Sequence, residues 1–465
     1  MTGTRLANVI LCAAVASAWS QLNADTFSDK MYPAGKHSSK PRGKTAFSQP
    51  LKGMPMEARI DFQLGKAMFQ RLWVTAPSST QAADGLGPLY NARSCEACHP
   101  NNGRGRPPLN DGEKPRSLLM RLSVPAEEQF KGKLKPEPTY GGQLQVFAIP
   151  GIPAEGSFKV SYTERSVPLA DGVKKTLYKP NYQFTDLSYG EMHKDVMTSP
   201  RLAPQLIGLG LLNRIPASQI LAAEDIPDKD GNGISGKANW IIDLSTGRQA
   251  LGRFGWKAGN PSLQQQNQDA AFTDIGLSVP LFPQGEGECT DAQTACLKAV
   301  NGNSPQYDNL EAHSVITNLI DQYVANLSVP HRQFDDQAQV KQGQMLFNEL
   351  GCYTCHRPSY TLRSGVNSQT IWPYTDLLLH DMGEDLADHR PEGGANGREW
   401  RTPPLWGIGL LETVNGNAYY LHDGRARSLL EAILWHGGEA QASKEGVVAL
   451  NAEQREALLA FVKSL

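Results

Sequence analysis

Two short segments carry the same arrangement of reactive side chains: SCEACHP (Ser94 to Pro100) and GCYTCHRP (Gly351 to Pro358). Each sets two thiols three residues apart and an imidazole directly after the second, which is the pattern of c-type haem attachment. On one helical turn, residues i and i+3 share a face. Cys95 with Cys98, and Cys352 with Cys355, can therefore each form thioethers to the two vinyl groups of one haem. His99 and His356 follow with an imidazole for the iron. A zinc site would call for a second close ligand pair, and a thioredoxin-like site for a βαβ pattern around the cysteines; neither is visible. The expected cofactors are two covalently bound haem c groups.

Two further groups of residues invite chemistry. Cys289 and Cys296, in ECTDAQTAC, are spaced to close a short loop as a disulfide in an exported protein. Asp228-Lys229-Asp230-Gly231-Asn232-Gly233 matches the first half of a calcium loop, in which Asp228, Asp230, Asn232 and the carbonyl of Ile234 would converge on the cation. The twelfth loop position holds Asn239 instead of a bidentate Glu. One Ca2+ and a metal-free Asp/Asn/Gly turn are both open readings.

The elements that must position these groups repeat. LGKAMFQRLW (Leu64 to Trp73) precedes the first motif and VKQGQMLFNELG (Val340 to Gly351) the second, each with Gly-x-x-x-Phe: Gly65 with Phe69, Gly343 with Phe347. The small residue lets a closing helix cross tightly. ITNLIDQYVANL (Ile316 to Leu327) and NAEQREALLAFVKSL (Asn451 to Leu465) can supply it, the latter with Asn451 as N-cap. The expected fold class is mainly α, two cytochrome c-like domains, residues 51–330 and 335–465, the first enlarged by loops and a β-hairpin. FKVSY and VKKTLYKPNY, separated by a turn at Ala170-Asp171-Gly172, place that hairpin at about 155–182.

A last local signal lies at LWHGGE (Leu434 to Glu439). Ser428 and Glu431 form an S-x-x-E capping box, so a helix starts at Leu429 and stops at Gly437-Gly438. Leu429, Ala432, Ile433 and His436 follow i, i+3, i+4, i+7, which puts the imidazole on the apolar stripe, where it needs a partner. A helix-end histidine bound to a carbonyl and favoured by the dipole is the other reading.

At 465 residues and 40% hydrophobic composition the chain can bury ordinary cores, and a net charge of -2 with interspersed signs gives no footprint for nucleic acid or an anionic membrane. One Arg, an apolar run and Ala16-Ser17-Ala18 make residues 1–24 a signal peptide and cleavage region. Cys12 follows bulky Ile10 and Leu11, which argues against lipidation. No later run is long enough to span a membrane, so the expected location is the periplasm, with residues 25–50 as a flexible leader.

From the first motif onward the chain resembles the di-haem oxidoreductases labelled peroxidases or thiol oxidoreductases, distant relatives of bacterial di-haem cytochrome c peroxidases and of MauG. The resemblance rests on GLGPLYNARSCEACHP, YGGQLQVFAIPG, SPRLAPQLIGLGLL, GRFGWKAGNPS, YTDLLLHDMGEDLADH, WRTPPLWGIGLL and LHDGRARSLLEAILWHGGEA. In such peroxidases the sixth ligand of the C-terminal haem comes about fourteen residues after an HDG motif. Here HDG is His422-Asp423-Gly424, and the count reaches His436, with Met382 as a rival. Bis-His ligation by His356 and His436 makes that haem an electron relay of low potential, and leaves the haem on His99 as the reactive one. The distal side then needs an acid/base group and a polar stabiliser. The relatives often place a distal histidine shortly after the first motif, yet none occurs from Pro100 to Met192; His193, with Glu191, Met192 and Met197 nearby, is the distant candidate and otherwise a surface residue, and Gln143, Gln145 and Glu191 could supply the polar groups. The relatives place a bridging Trp after the first motif; this chain has none between Trp73 and Trp240, leaving Trp240 and Trp256 as substitutes. His380, Asp381 and His422 are expected to hold loops or propionates of the second haem, and Arg398, Arg401, Arg425 and Arg427 to pair with propionates or to be solvated. The implied partners are a small electron donor such as a cytochrome or cupredoxin, and hydrogen peroxide. A pure di-haem electron carrier, and oxidation of a protein side chain or thiol, are the alternatives.

Overall fold

The computed structural model describes residues 29–40, 42–110, 112–125, 135–364 and 367–465; the signal-peptide segment lies outside them. Helices α1 (Met56–Gln70) and α4 (Ser314–Ala325) cross beside the first CxxCH segment, and α5 (Gln337–Glu349) and α7 (Ala452–Ser464) beside the second. The crossing is equally tight in both. A Cβ on Gly65 would lie 2.0 Å from the Leu319 carbonyl oxygen, and one on Gly343 would lie 1.9 Å from that of Ala457. One turn further on, Phe69 meets Tyr323 at a ring separation of 5.3 Å, and Phe347 meets Phe461 at 5.1 Å. Asn451 caps α7 in a reciprocal capping box with Gln454. Because a methyl at Gly343 would strike backbone rather than a movable side chain, Gly343→Ala is expected to cost about 1–3 kcal/mol. Denaturant melts check this, and an unchanged midpoint would count against so close a crossing.

The expectation of a mainly α chain is corrected. Helix accounts for 32% and strand for 19% of residues. Among the described residues the strands form six separate two-stranded sheets. The long segments between helices are rich in Gly, Pro and alternating β-branched residues, which close local hairpins more readily than they add helical turns. The largest pair, β2 (Ser157–Pro168) and β3 (Lys174–Thr185), is the inserted hairpin, running antiparallel with Ser157 opposite Thr185. It leans on the C-terminal half: Asp171 pairs with Arg455, Arg165 with Asp385, and Tyr182 Oη donates to Asp423. A second pair, β1 (Leu118–Ser123) and β4 (Met197–Leu202), is buried along Leu118, Met120 and Leu122.

One hydrophobic core runs through both halves, joining Phe62, Phe69 and Tyr323 to Phe347, Trp406, Leu458 and Phe461. The expectation of a flexible leader at 25–50 also differs from the structure. Ala34, Ala46 and Phe47 are fully buried in this core, and Trp372 N donates to the Pro33 carbonyl. A composition rich in Ser, Lys and Pro hid three apolar residues that dock this segment of short 3-10 turns. Among the described residues no helix is long and apolar enough to cross a membrane.

Candidate functional site

At the second motif, Gly351 turns the chain at the end of α5 with φ +76°, and a short 3-10 turn over Cys352–Thr354 brings both thiols and His356 onto one side. His356 Nδ1 lies 3.1 Å from the Tyr374 carbonyl oxygen. A neutral imidazole donating there keeps its Nε2 lone pair free, the arrangement used by axial ligands. Burial, helped by the nearby His436, pushes its pKa down to about 4.

Opposite stands α6 (Leu429–Leu434). Ser428 caps it, accepting from Glu431 N at 3.2 Å, while the Glu431 carboxylate accepts from Arg427 N rather than from the cap itself. His436 Nδ1 sits 2.8 Å from the Ala432 carbonyl oxygen, so its Nε2 is also free. Burial lowers its pKa, which argues against a charged, dipole-stabilised end residue. Leu429, Ala432, Ile433 and His436 line the same cavity as Cys352, Cys355 and His356.

This cavity fits a haem on three counts. Two imidazole lone pairs and two thiols border it, and its wall is largely apolar. Arg104 and Arg401 also line it, each lowered to about 10 by burial. Their hydrogen bonds run to Gln205 and the Tyr419 carbonyl, and to the carbonyls of Gly255 and Thr402; among the described residues no carboxylate pairs with either. Buried unpaired cations suit the propionates of a haem. Arg398 and Arg425 are instead paired with Asp381 and Asp423, and Arg427 lies over the Tyr178 ring. Met382 lines the cavity too. His380 has both nitrogens engaged, 2.8 Å from Asp376 and 2.6 Å from Glu439, and lies 3.6 Å from Cys355 Sγ, on the thiol side. His422 stacks on Trp400 at 3.7 Å.

At the first motif, Ser94 caps α2 (Cys95–Cys98) by accepting from Ala97 N. His99 Nδ1 is 2.7 Å from the Pro204 carbonyl oxygen, and burial lowers it to about 4. The stabilising bonds felt by His99 come from the backbone at Pro204 and Gly103, whereas His356 feels a second histidine. Burial pushes the Cys95 thiol up to about 12, and the charge of Asp274 adds to this. Asp274 belongs to α3 (Leu263–Ile275), whose C-terminal turn accepts from Asn91 N and Ala92 N just ahead of the motif.

The two predicted glutamines lie here, fully buried. Gln143 Nε2 donates to Asp274 at 2.8 Å and Gln145 Nε2 to the Thr273 carbonyl at 2.8 Å. Beside them is a residue that sequence reasoning missed. Glu155, 1% exposed, accepts from Gln145 N at 2.5 Å and from Gln293 Nε2 at 2.6 Å, and burial raises its pKa well above the carboxylate range. Its sequence setting, IPAEGS, reads as an exposed turn. His193 and Glu191, by contrast, are exposed, and His193 Nδ1 accepts from Asp195 N.

Trp256 connects the two regions. It lines the second cavity, and its indole N–H donates to the Leu202 carbonyl at 2.9 Å, two residues before the Pro204 that holds His99. Trp240 is 46% exposed. The Cys289–Cys296 disulfide is formed. In the calcium-like loop, Asp225 joins Asp228 and Asp230, with one oxygen of each within 4.8 Å of the others. Gly233 N and Ile234 N donate to Asp228 and Asn232.

The sequence matches the family described as "Di-haem oxidoreductase, putative peroxidase" over residues 34–146 and 157–465, and the chain belongs to that family. Among curated proteins none matches. Among solved structures the chain is similar to a hydrazine synthase of Kuenenia stuttgartiensis pressurised with xenon, at 15% identity over 54% of this chain and 88% of that one. The TM-score of 0.24 is too low for that likeness to carry any argument.

Proposed function

We propose that the protein is an exported, periplasmic di-haem c-type oxidoreductase that reduces hydrogen peroxide at its first motif with electrons relayed from its second. The observation that carries this is the asymmetry of the two sites. His356 shares a cavity with a second neutral imidazole, while the first motif has Asp274 near Cys95, with the buried Gln143 donating to Asp274 and Gln145 linking onward to the buried Glu155. In this reading Cys95 with Cys98, and Cys352 with Cys355, hold the haems covalently. His99, His356 and His436 are axial ligands. When bound, the haems supply electron storage at the second site and the redox chemistry of peroxide at the first.

The chain's own residues do the rest. Glu155, whose burial favours the protonated carboxyl, holds the proton that peroxide must receive as its O–O bond breaks. Gln145 fixes that carboxyl through its backbone N–H, and Gln143 adds a buried amide nearby. Trp256, between the Leu202 carbonyl and the second cavity, offers the aromatic step between sites. The donor is a small redox protein such as a cytochrome or cupredoxin. The test is the spectrum of the ferric and half-reduced protein. A high-spin component that shifts with cyanide or peroxide is expected. Two low-spin haems unmoved in both states would mean an electron carrier and would sink the peroxidase reading.

We also assign one Ca2+ to Asp225, Asp228, Asp230, Asn232 and the Ile234 carbonyl, because three carboxylates converge there on a glycine-rich turn. Calcium at about 100 times its dissociation constant is expected to add about 2.7 kcal/mol of stability. Thermal melts with Ca2+ and with chelator check it, and Asp228→Ala should remove the difference.

A further inference from the structure

The disulfide loop is not placed as a passive staple would be. It begins beside one buried carboxyl and ends behind the partner of another. Gln293, inside the loop, is fully buried and held at both ends of its amide: Oε1 accepts from Thr290 N at 2.9 Å, and Nε2 donates to Glu155 at 2.6 Å. Thr290 Oγ1 in turn donates to the Thr139 carbonyl at 2.8 Å, which ties the loop to the Gly141-Gly142 turn ahead of Gln143. Glu288, the residue before Cys289, packs into that turn. A Cβ on Gly142 would lie 2.7 Å from Glu288 Oε1, so only glycine lets the carboxyl approach so closely.

Glu288 Oε2 is buried and has no hydrogen-bond partner, although the residue as a whole is half-buried. Gln143 Oε1, at 0% exposure, likewise lacks a partner. These two orphaned oxygens mark places that suit a further polar molecule, since leaving a buried polar atom unpaired is costly. The charged groups facing Glu288 are Arg121 from β1, Asp269 and Asp274 from α3, and Glu155 senses it in turn. Burial dominates among these influences and raises Glu288 to about 7, where a carboxyl both holds and releases a proton near neutrality.

We propose that the Cys289–Cys296 loop is a working part of the first site, with Gln293 as positioning residue for Glu155 and Glu288 as the proton-holding group that resupplies Glu155 through bound water. The proposal rests on Glu155 serving the peroxide reaction as described above. The proton leaves the Glu288 carboxyl for water, passes to the Glu155 carboxylate, and is replaced from solvent, so no electron or further reactant is needed. Arg121 limits how far Glu288 can rise, and the disulfide holds Glu288 and Gln293 at the two carboxyls together.

The test uses the haem-loaded protein with Glu288→Gln, Gln293→Leu, and the paired change Cys289→Ser with Cys296→Ser. Infrared spectra at neutral pH are expected to show protonated-carboxyl bands, one lost in Glu288→Gln and another shifted in Gln293→Leu. Removing the Gln293 donor takes away a bond that favours the Glu155 carboxylate. The alkaline limb of peroxide consumption should therefore move up by about one pH unit in Gln293→Leu. Glu288→Gln should slow turnover about 10- to 100-fold. The paired serine variant should alter both bands, as mild reduction of the native protein should. Unchanged bands and an unchanged pH profile, with only the melting temperature altered, would overturn the proposal and leave the loop a staple. The infrared readout does not depend on peroxide chemistry. A protein inactive toward peroxide would sink the functional reading, while the bands would still decide this one.

Discussion

Replacing His436 with alanine is expected to abolish the six-coordinate low-spin signature of the second haem and to slow electron delivery to the first by about 10- to 100-fold. The argument begins with the helix. Ser428 fixes the start of α6, and the stripe from Leu429 to His436 faces the cavity that also holds His356. The imidazole is neutral because burial depresses its pKa, and Nδ1 is tied to the Ala432 carbonyl, leaving Nε2 as the free end. Alanine removes that lone pair without disturbing the cap, and the nearest substitute lining the cavity is Met382. Optical and electron paramagnetic resonance spectra of the ferric variant decide the matter. An intact low-spin second haem in His436→Ala would place the ligand elsewhere, and a shift toward a methionine-type spectrum would point to Met382.

Glu155→Gln is expected to lower peroxide turnover by about 10²- to 10⁴-fold while leaving the spectrum of the second haem unchanged. Glutamine keeps the shape and its one acceptor oxygen can still meet Gln145 N, but it has no acidic proton to give and cannot also accept from Gln293 Nε2. The same residue affects stability with a definite sign. Burial raises its folded pKa well above 4.5. The folded chain thus holds a proton that the unfolded chain releases. Its contribution is full below the unfolded pKa and is lost as pH rises through the folded one. The wild-type protein should lose stability as pH climbs above about 4.5, and Glu155→Gln should flatten that decline in denaturant melts. An equal decline in both would show that Glu155 is ionised in the fold.

Much of this architecture was legible in residue order because it depends on local spacing. The two CxxCH turns, the Gly-x-x-x-Phe crossings, the hairpin and the capped helix ahead of His436 are each set by residues within a few positions of one another. What escaped was set at long range. Glu155 sits in a Gly/Pro-flanked stretch that reads as a turn, and only its meeting with Gln293, far along the chain, reveals it as a buried acid. His193 looked suitable because of nearby Glu and Met residues, yet it is exposed. The helical impression came from counting the strongest periodic segments, while the loops between them pair into short sheets whose partners lie up to dozens of residues apart. The core position of Phe47 was likewise invisible in a polar segment.

The loop after the first motif is fastened from the far end of the chain. Asn415 accepts from Arg104 N at 3.0 Å and donates to the Pro100 carbonyl at 2.8 Å, while Asn101 donates to the Val414 carbonyl at 3.2 Å. The consequence concerns the order of assembly. The second site, from Cys352 to His436, can close soon after its own residues emerge. The first, though made earlier, stays unlatched until residue 415 arrives, shortly before His436 completes the second, so both sites wait on the C-terminal segment.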